Sequence, residues 1–139
     1  MGWRLMQLIF LRQINVGSFK RKSFVTKNLS IIIPYFRGAR TASQLVLCLK
    51  SQTYQDFDVI IVDDGQGVGF CELYNALVDA SFLHRVSLVS TIRNLGPAGA
   101  RNLALSMVNT RFVAFLDADD EWRDDYLEKM VTMQSITNA

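Results

Sequence analysis

From residue 30 onward, short apolar runs alternate with stretches in which apolar residues recur every three or four positions. The first run, residues 30–33, is β-branched and is followed by Pro34. Proline cannot donate to a sheet ladder, so this pattern predicts a strand that ends at Pro34. The next stretch predicts a helix with one apolar stripe at i, i+3, i+4 and i+7, formed by Ala42, Leu45, Val46 and Leu49.

Three further apolar runs, "FDVIIV", "VSLVS" and "RFVAFL", predict strands over residues 57–62, 86–90 and 111–116. Helical patterns lie between them, the first over about residues 70–80. The second has Pro97 in its first turn, and its predicted buried face consists of Ala100, Leu103, Ala104, Met107 and Val108. "RDDYLEKMVTM" begins another helix.

Strands that are apolar throughout and alternate with single helices indicate a parallel sheet covered on both faces. Right-handed crossovers make a doubly wound α/β sandwich the predicted fold class. In such sheets, ligands bind beyond the carboxyl ends of the strands.

Composition and charge add one asymmetry to this picture. The 139 residues suffice for one domain with a single core, and the net charge of +2 favours no particular partner. All thirteen acidic residues follow residue 55, and seven of them crowd between Asp117 and Glu128. The two cysteines have no metal-binding spacing, which predicts free thiols in a reducing compartment.

The first 29 residues form a basic leader with an apolar patch over residues 5–11, flanked by Arg4 and Arg12. The patch is far shorter than the ~20 residues of a spanning helix, and no small-residue cleavage site follows it. We favour a poorly ordered leader over residues 1–29 and a domain over residues 30–139. An interfacial basic-amphipathic anchor remains the alternative. We therefore expect a cytoplasmic protein. The alternative is a cytoplasmic protein that associates peripherally with the inner membrane.

The four predicted strand ends carry the candidate chemistry. The first is followed by Pro34 and Phe36, the second by Asp63 and Asp64, the third by Arg93, and the fourth by Asp117, Asp119 and Asp120. Because the carboxyl ends of parallel strands meet at one edge, these residues predict a shared site. Each has a simpler alternative: a turn for Asp63-Asp64, core packing for Phe36, and a surface ion pair for Arg101, one turn into the helix after Arg93.

The acidic cluster at the fourth strand end needs a compensating positive charge. Two carboxylates separated by one residue suit Mg²⁺ or Mn²⁺, which takes one or two carboxylates and completes its shell with water and phosphate oxygens. A phosphoacceptor signalling domain would have its acid pair after the first strand. A phosphatase of the D-x-D type would carry that motif on its first strand. Neither pattern is present here.

Four motifs of this chain, in their order and spacing, resemble those of the family 2 glycosyltransferases, which are nucleotide-sugar-dependent enzymes with the Rossmann-like GT-A fold. The motifs are "SIIIPYFRGAR", "LKSQTYQDFDVIIVDDG", "RNLGPAGARNLAL" and "FLDADDEW". The resemblance covers residues 30 to about 130, the N-terminal nucleotide-sugar-binding portion of such enzymes. It implies that a glycosyl group is transferred from a metal-complexed donor, usually a UDP-sugar, to a hydroxyl of a saccharide, lipid or protein acceptor. No nucleic-acid partner is implied.

The resemblance also assigns roles. Pro34 and Phe36 would lie against the nucleobase, Asp64 would hydrogen-bond the base, and Asp63 would support the turn. Arg93 and Arg101 belong to the donor-binding set, with Arg101 a contact for the diphosphate or a residue that shapes the site. Asp117 would approach the ribose or sugar. Asp119 would bind Mn²⁺ or Mg²⁺, with Asp117 and Asp120 beside it.

The chain departs from the family pattern in several respects. Phe36 stands where Tyr is frequent, Arg37 where Asn is frequent, and Gln66 where Ser is frequent. Family members continue well beyond the D-x-D motif with an acceptor region and a general base, so we expect a truncated donor-binding half whose catalytic base is not visible. The alternative is a catalytically inactive module that binds a nucleotide or mediates an interaction. Association with a partner chain would fit this alternative.

Overall fold

A computed structural model describes residues 27–137 of the chain. Strands and helices alternate along it, as the apolar pattern predicts. The strands are β1 (Leu29–Tyr35), β2 (Phe57–Asp63), β3 (Val86–Ser90) and β4 (Phe112–Phe115), and the helices are α1 (Ala42–Ser51), α2 (Phe70–Asp79), α3 (Gly96–Leu105) and α4 (Tyr126–Thr137). Short 3₁₀ turns at Ala39–Thr41 and Leu83–Arg85 precede α1 and β3.

The four strands form one parallel sheet in the order β3-β2-β1-β4. Ile33 lies opposite Ile61 in the β1–β2 pair, and Ile31 lies opposite Ala114 in the β1–β4 pair. The chain thus winds outward from β1 in both directions, and the predicted parallel α/β class is confirmed. The carboxyl ends of β1 and β4 are neighbours at the point where the winding reverses, which is the usual location of a ligand crevice.

The two faces of the sheet are covered by different helices. On one face, Ile31, Ile33 and Ile61 pack with side chains of α1, α2 and α4 in the larger core cluster. On the other face, Ile32, Ile60 and Val62 pack with Ala100 and Ala104 of α3 in a smaller cluster. The two alanines are fully buried, and their small side chains let α3 approach the sheet closely. Burial on both faces explains why β1 and β2 are apolar throughout.

The prediction that the first strand ends at Pro34 is wrong, because β1 continues to Tyr35 with Pro34 opposite Val62. Alternate residues of a parallel strand bond to the same neighbour, and the carbonyl of Ile32 accepts from the amide of Leu116 on the β4 side. The ring nitrogen of Pro34 therefore faces the side on which pairing with β4 has already ended. No ladder hydrogen bond is lost.

Two further predictions change in the structure. Met107 is 43% exposed rather than buried, because α3 ends at Leu105 and Met107 no longer lies on the helical stripe. Leu29, placed in the leader by the sequence, is buried as the first residue of β1. Residues 1–26, which contain the rest of that leader and its apolar patch, lie outside the described residues. Between residues 27 and 137, no helix has the length and apolar character needed to cross a bilayer.

Candidate nucleotide-sugar site

The carboxyl edge of the sheet contains a cavity of about 430 Å³ between the ends of β1, β2 and β4 and the first turn of α3. Six of the nine residues that the sequence proposes for a site line it: Pro34, Phe36, Asp64, Arg101, Asp117 and Asp119. Asp63, Arg93 and Asp120 do not line it. The winding order of the sheet therefore brings together side chains that are up to 85 positions apart, from 34 to 119.

Asp64 links the end of β2 to the loop that precedes α3. Its side chain is 3% exposed and accepts hydrogen bonds from the Thr91 hydroxyl at 2.7 Å and from the amides of Leu95 at 2.7 Å and Gly96 at 2.8 Å. Gly96 has φ +74°, a left-handed conformation that L side chains rarely adopt. Because a carboxylate has about four acceptor positions, these three hydrogen bonds leave one position of Asp64 unused.

Asp63 shapes the turn behind the cavity. Its carboxylate is fully buried and accepts from the amides of Gly65 and Gly67, both at 3.0 Å, and from the Ser90 hydroxyl at 3.3 Å. A side chain at position 65 would place its Cβ 2.9 Å from the backbone nitrogen of Arg37, so glycine is required there by close approach. The two consecutive aspartates therefore stabilise different segments. Asp63 bonds the turn after β2, and Asp64 bonds the loop before α3.

Phe36 forms an aromatic wall of the cavity and is 55% exposed. The guanidinium carbon of Arg37 lies 5.2 Å from the centre of its ring, within cation–π range. Arg37 itself has φ 53°, a conformation in which Asn is several-fold enriched. Phe36 is thus a solvent-facing aromatic surface rather than core, which removes the core alternative.

Tyr35, adjacent to this wall, also lines the cavity but is fully buried. Its hydroxyl donates to the carbonyl of Gly69 at 3.2 Å. Burial, followed by the negative charges of Glu72 and Asp63, raises the pKa of Tyr35 to about 12. The ring therefore stays neutral at physiological pH and serves as packing between β1 and the loop before α2.

Arg101 and Asp117 meet across the cavity. Nη2 of Arg101 donates to Oδ1 of Asp117 at 2.6 Å, and the two side chains are 34% and 48% exposed. An ion pair this accessible contributes roughly 0.2–1 kcal/mol to stability. The simpler interpretation of Arg101 from the sequence, a surface ion pair, therefore agrees with the structure. Both partners of the pair, however, line the cavity.

The acidic segment after β4 places two carboxylates in the cavity. Asp117 and Asp119 line the cavity, whereas Asp120 is exposed outside it and its amide closes a turn on the carbonyl of Asp117 at 3.0 Å. Within residues 27–137, no three His, Cys, Asp or Glu side chains converge as a metal cluster. Mg²⁺ and Mn²⁺ characteristically use one or two carboxylates together with phosphate oxygens. Two carboxylates fit such an ion when water and the oxygens of a phosphate-bearing ligand complete its shell.

The sequence did not single out the loop residues that support these groups. Thr91 bonds Asp64, and Asn94 lines the cavity while its Oδ1 accepts from the amide of Gly96 at 2.9 Å. Both lie in the loop after β3, and that position was their only signal in the sequence. Arg93 lies between them and is exposed, and within residues 27–137 its side chain forms no ion pair.

Comparison with known proteins agrees with the resemblance. Residues 30–138 match the profile of Glycosyl transferase family 2. The amylovoran biosynthesis glycosyltransferase AmsB of Erwinia amylovora is 34% identical over 113 residues, which is 76% of this chain and 35% of that protein. The UDP-Glc:alpha-D-GlcNAc-diphosphoundecaprenol beta-1,3-glucosyltransferase WfgD of Escherichia coli is 32% identical over 110 residues, 79% of this chain and 42% of that protein.

Solved structures show the same fold. S. aureus TarS 1–349 in complex with UDP-GlcNAc superposes with a TM-score of 0.68 at 22% identity, covering 78% of this chain and 31% of that one. The mannosyltransferase PcManGT from Pyrobaculum calidifontis, in complex with GDP-Man and Mn²⁺, gives a TM-score of 0.65 at 21% identity, covering 94% and 39%. These likenesses confirm the predicted GT-A fold.

The family match extends over most of the chain, but the chain spans only part of its relatives. Both the AmsB and the WfgD comparisons cover less than half of the relative's length. With the profile match over residues 30–138, the parallel α/β sheet and the order of the strand-end motifs, the chain belongs to glycosyl transferase family 2.

Proposed function

We propose that this chain forms the donor-binding part of a glycosyltransferase that uses a UDP-sugar complexed with Mn²⁺ or Mg²⁺ and glycosylates an acceptor hydroxyl. The observation that carries the proposal is the cavity in which an exposed aromatic ring, a buried carboxylate and an Arg–Asp–Asp group line one space. Phe36 supplies a stacking face, Asp64 a free acceptor position, and Asp117 with Asp119 the metal carboxylates. Each lies at the end of a different strand or its following loop.

The residues divide the donor between them. The ring of Phe36 and the pyrrolidine of Pro34 suit a planar base, and the remaining acceptor position of Asp64 suits an imide N–H such as that of uracil. Asp117 and Asp119 lie on the side of the cavity formed after β4 and would hold the ion. When bound, the ion offsets the charge of the nucleoside diphosphate leaving group.

The named relatives support the choice of donor and acceptor class. WfgD is named as a glucosyltransferase that uses UDP-Glc and a diphosphoundecaprenol-linked saccharide, and AmsB as an amylovoran biosynthesis enzyme. We therefore propose a role in polysaccharide biosynthesis, with a lipid-linked saccharide as acceptor, at the cytoplasmic surface of the inner membrane. A GDP-sugar is the competing donor, because PcManGT holds GDP-Man.

A nucleotide-binding module without turnover is the second candidate. Deprotonation of the acceptor hydroxyl needs a general base, and two of the carboxylates that follow the acidic segment, Asp125 and Glu128, are engaged elsewhere. Asp125 accepts from Lys129 at 2.6 Å, and this hydrogen bond lowers the pKa of Asp125, making it a weaker base. Glu128 accepts from the Thr53 hydroxyl at 2.7 Å.

Calorimetric titration with UDP and with GDP, each with and without Mn²⁺, tests the proposal. We expect UDP to bind more tightly than GDP and to require Mn²⁺, and Asp119→Asn to weaken UDP binding in Mn²⁺ by about tenfold or more, because one charged metal ligand is lost. The matched control is Asp124→Asn, which removes the same charge from an exposed position outside the cavity. Mn²⁺-independent binding, or equal effects of both variants, would contradict the donor-site assignment. Sugar transfer by this chain alone would exclude the second candidate.

A further inference from the structure

The Arg101–Asp117 ion pair connects two groups with separate expected tasks in donor binding. Asp117 is a candidate ligand of the divalent ion, and Arg101 is a candidate contact of the diphosphate. In the structure they bind each other, with 2.6 Å between Nη2 of Arg101 and Oδ1 of Asp117. Within the described part of the chain, Arg101 forms no second ion pair.

A guanidinium and a divalent ion compete for the same carboxylate. Both are cations, and charges a few ångströms apart interact strongly even when partly solvated. The pair is one-third to one-half exposed, so its partners can separate without leaving a buried charge unpaired. A bound ion at Asp117 therefore disfavours the observed position of Arg101, and that position disfavours the ion.

We propose that Arg101 is a built-in counter-ion for Asp117, which the divalent ion displaces, and that the displaced guanidinium then pairs with the donor diphosphate. This inference rests on the proposed function. Arg101 lines the same cavity as Asp119 and Asp64, so its present partner and its proposed partner belong to one space. A guanidinium presents a planar fork of donors that matches phosphate oxygens.

The exchange has a thermodynamic consequence. Without a diphosphate, displacing Arg101 costs the ion pair, so the ion alone binds weakly. With a diphosphate, Arg101 gains a new anionic partner, so the ion and the nucleotide strengthen each other's binding by the same factor. Arg101 is thus a positioning residue that makes the site respond to the complete metal–nucleotide complex rather than to either component.

Calorimetric titration of the 139-residue chain with Mn²⁺, in the absence and presence of UDP, tests the exchange. In Arg101→Gln we expect Mn²⁺ alone to bind about two- to fivefold more tightly than in the unsubstituted chain, the size expected for removing one partly exposed competing cation. We also expect UDP to increase the Mn²⁺ affinity by a smaller factor, because no guanidinium remains to meet the diphosphate. Arg101→Lys keeps the charge and should restore the weaker Mn²⁺ affinity.

Arg111→Gln is the matched control. Arg111 is exposed just before β4, at the opposite end of the strand from Asp117, and its loss changes the net charge equally. We expect this variant to bind Mn²⁺ like the unsubstituted chain. Equal tightening in Arg111→Gln would attribute the effect to net charge and overturn the proposal. The proposal would also be overturned if Arg101→Gln bound Mn²⁺ no more tightly than the unsubstituted chain. The absence of measurable Mn²⁺ binding to both chains would count as equal affinity.

A second measurement does not depend on the folding of Arg101→Gln. In the unsubstituted chain, the Arg101 Nε–H resonance, assigned with Arg101→Lys, should shift on titration with diamagnetic Mg²⁺, and an unchanged resonance contradicts displacement. Failure of the proposed function gives a different result. In that case UDP fails to bind the unsubstituted chain with Mn²⁺, whereas the comparison of Mn²⁺ affinities without UDP still decides the ion-pair exchange.

Discussion

Asp64 is a buried carboxylate whose charge is stabilised by hydrogen bonds. Two of its three donors are backbone amides, those of Leu95 and Gly96, at the start of α3. An acidic side chain at a helix N-terminus also interacts favourably with the helix dipole. The same contacts that hold Asp64 in place provide acceptors for the amides of Leu95 and Gly96 at the start of α3.

Replacing Asp64 with Asn tests this role. One carboxylate oxygen becomes an amide group that donates, so the amide of Gly96 meets a second donor there and keeps only the Oδ1 of Asn94 as an acceptor. We expect the free energy of unfolding to fall by about 2–3 kcal/mol, the range for losing hydrogen bonds to a charged group in a buried setting. Urea denaturation measures it. Asp79→Asn, exposed at the end of α2, is the control and should change stability by less than about 0.5 kcal/mol.

Among the elements, the C-terminal end of α1 holds the segment that follows the acidic cluster. Gln52 is 3% exposed; its amide group donates to the carbonyl of Arg123 at 2.9 Å, and its oxygen accepts from the amide of Leu127 at 3.2 Å. One turn earlier, the sulfur of Cys48 accepts from the amide of Trp122 at 3.3 Å. Burial raises the pKa of this thiol, which stays protonated. These contacts fix the path of the chain directly after Asp119 and Asp120.

Gln52→Ala removes the central contact of this arrangement. The carbonyl of Arg123 and the amide of Leu127 would lose their partner in a buried position, so we expect the free energy of unfolding to fall by about 2–4 kcal/mol. Gln44→Ala, an exposed position on the same helix, removes the same atoms and should be nearly neutral. Thermal and urea denaturation provide the comparison. Equal losses in the two variants would show that the buried amide contributes nothing specific.

Considered as a whole molecule, the sheet has a tightly covered centre and a more open side. Residues 31–33 of β1 are fully buried, and β1 lies between β2 and β4. In the described residues β3 and β4 each pair on one side only, but no residue of β4 is buried, and Phe115 at its end is 48% exposed. Local opening should therefore be easiest at β4, the strand that leads into Asp117 and Asp119.

Amide hydrogen exchange tests this difference across the molecule. We expect the amides of Ile31 and Ile33, which point towards β2, to exchange slowest, and those of Phe112 and Ala114, which point from β4 towards β1, to exchange at least about tenfold faster, because β4 opens without disrupting the β1–β2 pair. Exchange followed by NMR resolves the individual amides. Equal protection of β1 and β4 would show that the four strands open only as one unit.

The sequence predicted the α/β class well because its signals are local. Strands buried on both faces must be apolar throughout, as residues 57–62 are, and a covering helix must carry an apolar stripe, as α1 does. It failed at Pro34 and Met107, where the outcome depends on where a neighbouring element ends. Pairing with β4 stops at Ile32, and α3 stops at Leu105. Pairing with β4 depends on a strand that is remote in sequence from Pro34, and the apolar stripe through Met107 continues past the residue at which α3 ends.

The sequence by itself determined which chemistry is present: an aromatic residue, two aspartates, an arginine and an acidic cluster at successive strand ends. Only the tertiary structure decided which of these residues line the cavity and which bond to neighbouring loops. The sheet order places β4 beside β1, which brings Asp117 to Arg101 and leaves Arg93 outside the cavity. It also separates Asp63, committed to its turn, from Asp64, which reaches the start of α3. The two neighbouring aspartates differ because Asp63 is the last residue of β2 and bonds the turn that follows it, whereas Asp64 lies just past the strand and bonds the loop before α3. Only the packing of the chain reveals these partners.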